Sequence, residues 1–294
     1  MGIVTKFKDF RSNRKDRNDR KVASNGQSQE KEMSFLDHLE ELRWHLMRSL
    51  AVIMIIGIGL FVNIQWFIDT VILAPFSPEF PVNKFLCDLN QSLCFDSVGV
   101  SYQAIDPYEQ FLRAIGLAFF GGFIIAFPYV LWETWRFMKP GLHAHERGKL
   151  KGTVFILSVL FFIGVAFAYY VVLPFSVQFL SSFKLSEAIQ NQWRIGKVIS
   201  LVTQIVVAGG ILFELPMMVF FFSKLGLLTP AFMRTYRRHA LVILLVMAAI
   251  ITPPDVLSQI LIFLPLVILY EFSVMICVVV NRKRDKEIGL TTEE

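Results

Sequence analysis

The stretch Met33–Leu50, MSFLDHLEELRWHLMRSL, marks the place where a charged N-terminal tail turns into the first apolar run. Ser34, followed three residues later by Asp37, reads as a helix N-cap with its reciprocal carboxylate. Phe35, Leu39, Leu42 and Leu46 recur at helical spacing on one face, while Glu40, Glu41 and Arg43 face elsewhere. A helix of that kind lies in a membrane interface with its apolar face against lipid or protein. Two adjacent glutamates are unusual there, because interfacial helices on an anionic leaflet are commonly basic. Such a pair needs something positive to meet it.

Of the 294 residues, 54% are hydrophobic and only 18% charged, with a mean hydropathy of +0.54. A soluble domain carries more charge, so composition alone gives an integral membrane protein. No stretch of about 100 residues remains that could build a soluble domain around its own core. Residues 1–32 are charged, lack an apolar run, and do not read as a signal peptide. They are expected to form a disordered cytoplasmic tail, solvated or drawn to anionic lipid.

The net charge of +5 is of the sign that nucleic acid attracts, but its placement argues against such a partner. Of 29 Lys and Arg, 24 fall in the tail up to Arg48, in the loops 136–151 and 224–238, and from Arg282 onward. The complementary loops hold Lys84, Lys184, Arg194 and Lys197, with Arg113 at a span entrance. This split follows the positive-inside rule, so both termini are expected in the cytoplasm.

Six apolar segments have the length to span or nearly span a bilayer, at about 46–68, 111–135, 153–177, 198–222, 240–251 and 256–280. They form one membrane domain over 33–280, with an outer cap at 69–110 and a cytoplasmic tail at 281–294. An even number of spans agrees with both ends lying inside. The fifth is the misfit: twelve residues rise about 18 Å as a helix against ~30 Å of hydrocarbon. A tight hairpin with the sixth is expected, broken at Pro253 and Pro254. Pro128, Pro174, Pro216 and Pro265 fall in or near other spans. Each removes a backbone donor, so several bent helices forming a curved, concave all-α scaffold are expected.

The cap contains Pro75, Pro78, Pro81 and Pro107 and should be irregular, with short helical pieces. Cys87 and Cys94 lie there, seven residues apart on the oxidising side, and are candidates for a disulfide. Cys277, in the last span, reads as a small apolar filler. Other chemistries find no support. His38, His45, His143, His145 and His239 all map to the cytoplasmic rim, so neither a haem nor a zinc site is expected. There is no GxxxxGK[ST] phosphate loop, and no cofactor, metal or enzymatic activity is implied.

Four signatures give the chain a family resemblance. HLEELR (His38–Arg43) is followed in order by FMKPGLHAHER (Phe137–Arg147), FELP (Phe213–Pro216) and TPPDVLSQ (Thr252–Gln259). Together, on this span layout, they resemble TatC, the multi-span receptor of the twin-arginine protein translocase, over roughly 33–280. The resemblance implies a cupped fold with the same short fifth and sixth pair, lying in a bacterial-type inner membrane. It also implies a receptor that binds twin-arginine signal peptides of folded cargo at the cytoplasmic face. Single-span TatA- and TatB-type partners would complete the pore, the proton-motive force would drive export, and the chain would form a homo-oligomer within that complex.

By the same resemblance Glu41 and Glu146 would receive the two arginines, with Arg43 positioning Glu41 and Phe137 covering the neighbouring apolar side chain. Chemistry agrees, since a guanidinium forms a forked, charge-assisted pair with carboxylate that lysine cannot copy. Two positions depart from the more basic family form: Gly148 follows Arg147, and Trp44-His45 follow Arg43. Glu214 lies deep in the fourth span, roughly 6 Å from its centre, where a carboxylate is costly unless neutral, paired or wet. It is expected on the concave face. Thr252, Asp255 and Gln259 follow as partner-facing positions, although Thr252 or Asp255 could equally cap the sixth span. Glu133 and Glu271 are given only local pairing. The rival reading is a proton-coupled secondary transporter using Glu214, which would normally show inverted repeats and paired midplane charges.

Overall fold

The structure is a computed structural model that describes residues 35–89, 101–138, 150–183, 186, 192–252 and 256–287. The chain divides into a first unit ending at Trp44 and a second beginning at His45. Helix α1 (Phe35–Val62) begins in the first unit and supplies the first apolar span. It stops earlier than the hydropathy suggests. Asn63, with φ −106° and ψ 30°, breaks it and sends its side-chain amide back to the Gly59 carbonyl at 3.2 Å. The chain resumes as α2 (Ile64–Phe67), a π turn at Ile68–Ile72 and a 3₁₀ turn at Ala74–Phe76.

The cap continues with α3 (Pro81–Leu89), where Asn83 is almost fully buried and donates to the Pro75 and Ser77 carbonyls. Its other piece was not expected. Strand β1 (Ser101–Gln103) pairs in parallel with β2 (Gln192–Arg194), so the all-α scaffold carries a two-stranded ribbon. Tyr102 faces Trp193 in that register, and Phe76 meets both rings edge-on at 6.2 and 5.9 Å.

The other helices are α4 (Glu109–Met138), α5 (Leu150–Phe167), α6 (Leu173–Ser182), α7 (Ile195–Leu212) and α8 (Leu215–Lys224). They are followed by α9 (Pro230–Thr235), α10 (Arg237–Ile251) and α11 (Val256–Glu287). Among the described residues five stretches are long and apolar enough to cross a membrane. These are Glu40–Val62, Glu109–Phe137, Val154–Ser182, Ile195–Lys224 and Ser258–Arg282. Helix α10 has 15 residues, a rise of about 22 Å that falls short of ~30 Å of hydrocarbon. Pro253 and Pro254, expected to break the hairpin, lie outside the described residues.

The four span prolines act in two ways. Pro174 follows a π turn at Ala168–Val172, and Pro216 follows a break at Phe213–Glu214. Pro128 and Pro265 instead sit within uninterrupted helices. A missing N–H is tolerated there because it frees one carbonyl, which local adjustment and neighbouring helices can cover.

Packing runs on small residues, as expected where lipid is as apolar as the side chains. A Cβ at Gly122 of α4 would stand 2.7 Å from the Ile53 carbonyl oxygen and 2.9 Å from the Gly57 nitrogen of α1. A Cβ at Gly164 of α5 would likewise stand 2.7 Å from the Gly209 oxygen of α7. Between these seams Phe127 and Phe161 stack with ring centroids 3.5 Å apart. The outer faces are apolar too, with Ile55 69% and Val62 76% exposed, which suits lipid rather than water.

Cys277 is fully buried in the apolar core of α11, as expected, and it also takes part in hydrogen bonding. Its sulfur accepts from the Ser223 hydroxyl at 3.4 Å, and the Asn281 amide donates to Ser223, to the Leu228 carbonyl and to the Cys277 carbonyl. This buried polar knot ties α8 and the following turn at Gly226 (φ 78°) to α11.

Candidate functional site

The HLEELR segment lies in the first two turns of α1. Glu40 and Arg43 are exposed there and Glu41 is half-buried. All three belong to the first unit, whereas Phe137, near the end of α4, belongs to the second. Glu146 lies outside the described residues, as do Ser34 and Asp255. Cys87 is half-buried on α3, and Cys94 lies outside the described residues.

What stands beneath Phe137 is a cluster that sequence reasoning missed. His45 is 6% exposed and Glu133 3%, and the imidazole Nδ1 pairs with Glu133 Oε2. The Tyr129 hydroxyl donates to Glu133 Oε1 at 2.9 Å, and the Phe137 ring meets His45 edge-on at 6.3 Å. Tyr129, Glu133 and Phe137 follow one another at i, i+4 and i+8, so one face of α4 carries the whole set to α1. His45 lies near the start of the candidate span Glu40–Val62 and is satisfied by a carboxylate, which is what a buried charge-bearing pair demands. A partial signal was available: Glu133 is an acid within the apolar segment 111–135 and needs a partner.

Glu214 stands at the break between α7 and α8, with φ −79° and ψ −4°. Its carbonyl caps the restart, accepting from the Met217 and Met218 amides at 3.0 and 3.1 Å. The side chain is half-buried, and its Oε1 is shut off from solvent with no hydrogen-bond partner among the described residues. Burial of an unsatisfied oxygen is costly.

The two outer glutamines grip the short helix α10. Gln204 of α7 donates to the Ile250 carbonyl at 2.9 Å, and Gln259 of α11 donates to the Leu245 carbonyl at 3.4 Å. Thr252 does not cap α11. Its hydroxyl turns back to the Ala248 carbonyl at 2.9 Å and the residue is buried. Glu271 pairs with Arg237 at 2.7 Å, joining α10 to α11 rather than bonding within its own helix. No group of three or more His, Cys, Asp or Glu capable of holding a metal occurs among the described residues.

Comparison with known proteins agrees with this frame. The family described as Sec-independent protein translocase protein (TatC) matches residues 37–265. A TatC from Blattabacterium sp. subsp. Periplaneta americana is 34% identical over 264 residues, covering 87% of this chain and 99% of that protein. One from Halalkalibacterium halodurans is 33% identical over 273 residues, covering 90% and 97%. A crystal structure of the twin-arginine translocase receptor TatC superposes with a TM-score of 0.66 at 30% identity, over 83% of this chain and 99% of that one. All four signatures lie within the matched region, and the chain belongs to the TatC family of Sec-independent protein translocase proteins.

Proposed function

We propose that this chain is the signal-peptide receptor of a twin-arginine translocase. Glu41 and Glu146 take the two arginines of the signal peptide, Arg43 orients Glu41, and Phe137 covers the adjoining apolar side chain. The supporting observation is family membership that includes HLEELR and the 137–147 signature in their expected order. The half-buried placement of Glu41 at the start of a membrane helix supports it further, because a partly desolvated carboxylate pairs more strongly with guanidinium.

The same reading places both termini in the cytoplasm of a bacterial-type inner membrane. Residues 1–32 then form a solvated tail, and Cys87 and Cys94 pair on the outer side. TatA- and TatB-type single-span partners dock near Glu214, Thr252, Asp255 and Gln259, and copies of the chain assemble in the complex. The proton-motive force supplies the energy, at about 2.3 kcal/mol per charge per 100 mV. No catalytic step is assigned.

Photocrosslinking from positions 41 and 146 to a signal peptide tests this, with a two-lysine peptide as control. The two-arginine peptide should crosslink at both positions and the two-lysine peptide at neither; equal labelling of the two overturns the assignment. The break beside Glu214 is a feature that a proton-coupled solute transporter would share. Solute uptake by vesicles holding this chain alone, lost in Glu214→Gln, would favour that second reading.

A further inference from the structure

We infer that the groove between α4 and α7, at the Glu109 end of these helices, binds one anionic phospholipid, with an acyl chain along the groove and the phosphate between Arg113 and Lys197. The groove encloses about 400 Å³ and is walled by Gly116, Leu117 and Phe120 from α4 and by Val207, Ala208 and Ile211 from α7. Within a bilayer such a cleft is filled by hydrocarbon, since an empty wall forfeits its dispersion contacts. What makes it selective is its mouth. The groove shares Leu112 and Arg113 with a polar basin of about 440 Å³ that also holds Asp106, Glu109, Arg194 and Lys197.

Both acids of that basin lie within ion-pair reach of Arg194, although Glu109 Oε2 accepts no hydrogen bond among the described residues. Arg194 reaches Asp106 at 2.9 Å and Glu109 at 3.8 Å. The Glu109 carboxylate also lies so close to Gly196, in the first turn of α7, that a Cβ there would overlap it. It thus sits against the positive end of a helix that has no side-chain cap. Three cations, Arg113, Arg194 and Lys197, face these two acids, which leaves the basin one positive charge in excess. Arg113 has one hydrogen-bond partner among the described residues, the Ser200 hydroxyl at 2.7 Å, and exposed Lys197 has none. One positive charge in excess at the entrance of a hydrocarbon-lined cleft, shared between Arg113 and Lys197, complements the single negative charge of a phosphodiester that carries its own chain. A choline head would set a further cation beside them, and an apolar partner helix would leave the excess charge without a counter-charge.

Native mass spectrometry of the full chain, released from detergent with equimolar phosphatidylglycerol and phosphatidylcholine of identical chains, tests the inference. Phosphatidylglycerol should dominate the bound fraction. Lys197→Gln, at an exposed position, should cut that preference about fivefold, the worth of one surface charge. Arg113→Gln, which keeps a donor for Ser200, should remove the rest when added. Gly116→Leu, whose Cβ meets nothing within 4 Å, should fill the groove and reduce binding of both lipids. Glycerol phosphate, which lacks the chain, should not displace the lipid. A preference unchanged in Lys197→Gln, displacement by glycerol phosphate, or full lipid binding by Gly116→Leu each overturns the proposal.

Discussion

The imidazole of His45 and the carboxylate of Glu133 meet across the first and second spans at a point where both side chains are nearly withdrawn from solvent. Eighty-eight residues separate them in the chain. The pair fixes α1 against α4 one turn from Phe137, so the aromatic proposed to cover the signal peptide stands on a rigid base. Removing one partner strands the other. Glu133→Ala should therefore destabilise the chain by about 3–5 kcal/mol, the usual cost of breaking a buried pair. Glu133→Gln, which still offers an acceptor and a donor, should cost about 1–3 kcal/mol. Thermal unfolding in detergent separates the two; equal losses would mean the pair contributes only packing.

Much of the frame was legible in the sequence, and the misses share a cause. Apolar runs, charge asymmetry and span prolines are local, and they gave helical membrane segments, a short α10 and the interruptions beside Pro174 and Pro216. The break at Asn63 was hidden because the residues after it, apart from Gln65, remain apolar through Ile68. Pairing of residues 101–103 with 192–194, and of His45 with Glu133, depends on elements brought together from far apart in the chain. Cys277 is the buried filler expected, but its hydrogen bonds with Ser223 and Asn281 arise only once α8 packs on α11. For the candidate site, the residues could be named from their motifs. Their burial and partners could not.

The seam between α1 and α4 makes a second prediction. Gly122→Ala would drive a methyl into the Ile53 carbonyl and the Gly57 backbone, and backbone cannot yield as a side-chain tip can. The expected cost is about 1–3 kcal/mol, typical of overpacking. Gly59→Ala serves as control, since a Cβ there meets nothing within 4 Å. It should change stability by no more than about 1 kcal/mol, in the favourable direction of helix propensity. Equal melting temperatures for the two variants would show that the seam is loose.

Glu214 should separate stability from function. Its buried Oε1 has no partner among the described residues, so the folded chain carries the desolvation cost of that oxygen. Glu214→Leu should leave stability unchanged or raise it by about 1–3 kcal/mol, while export of a two-arginine cargo falls. Glu214→Gln should keep the fold and retain more export than Glu214→Leu, because it preserves a polar group at the break. A leucine variant that is both stable and fully active would remove Glu214 from the proposed mechanism.

Gln204 and Gln259 offer the same chemistry to one helix, each donating an amide proton to a carbonyl of α10. Their contributions should nonetheless differ. Side-chain hydrogen bonds within membranes are worth about 0.6 kcal/mol on average, so neither Gln204→Leu nor Gln259→Leu should unfold the α10–α11 pair. The 3.4 Å contact from Gln259 is the longer of the two, which leaves its amide the better able to exchange α10 for an arriving helix. Crosslinking of a TatA-type single-span partner should therefore fall in Gln259→Leu and persist in Gln204→Leu, with both melting temperatures close to the parent. If the two variants lose partner crosslinking equally, α10 itself is the docking element. Gln259 would then act only by holding it in place.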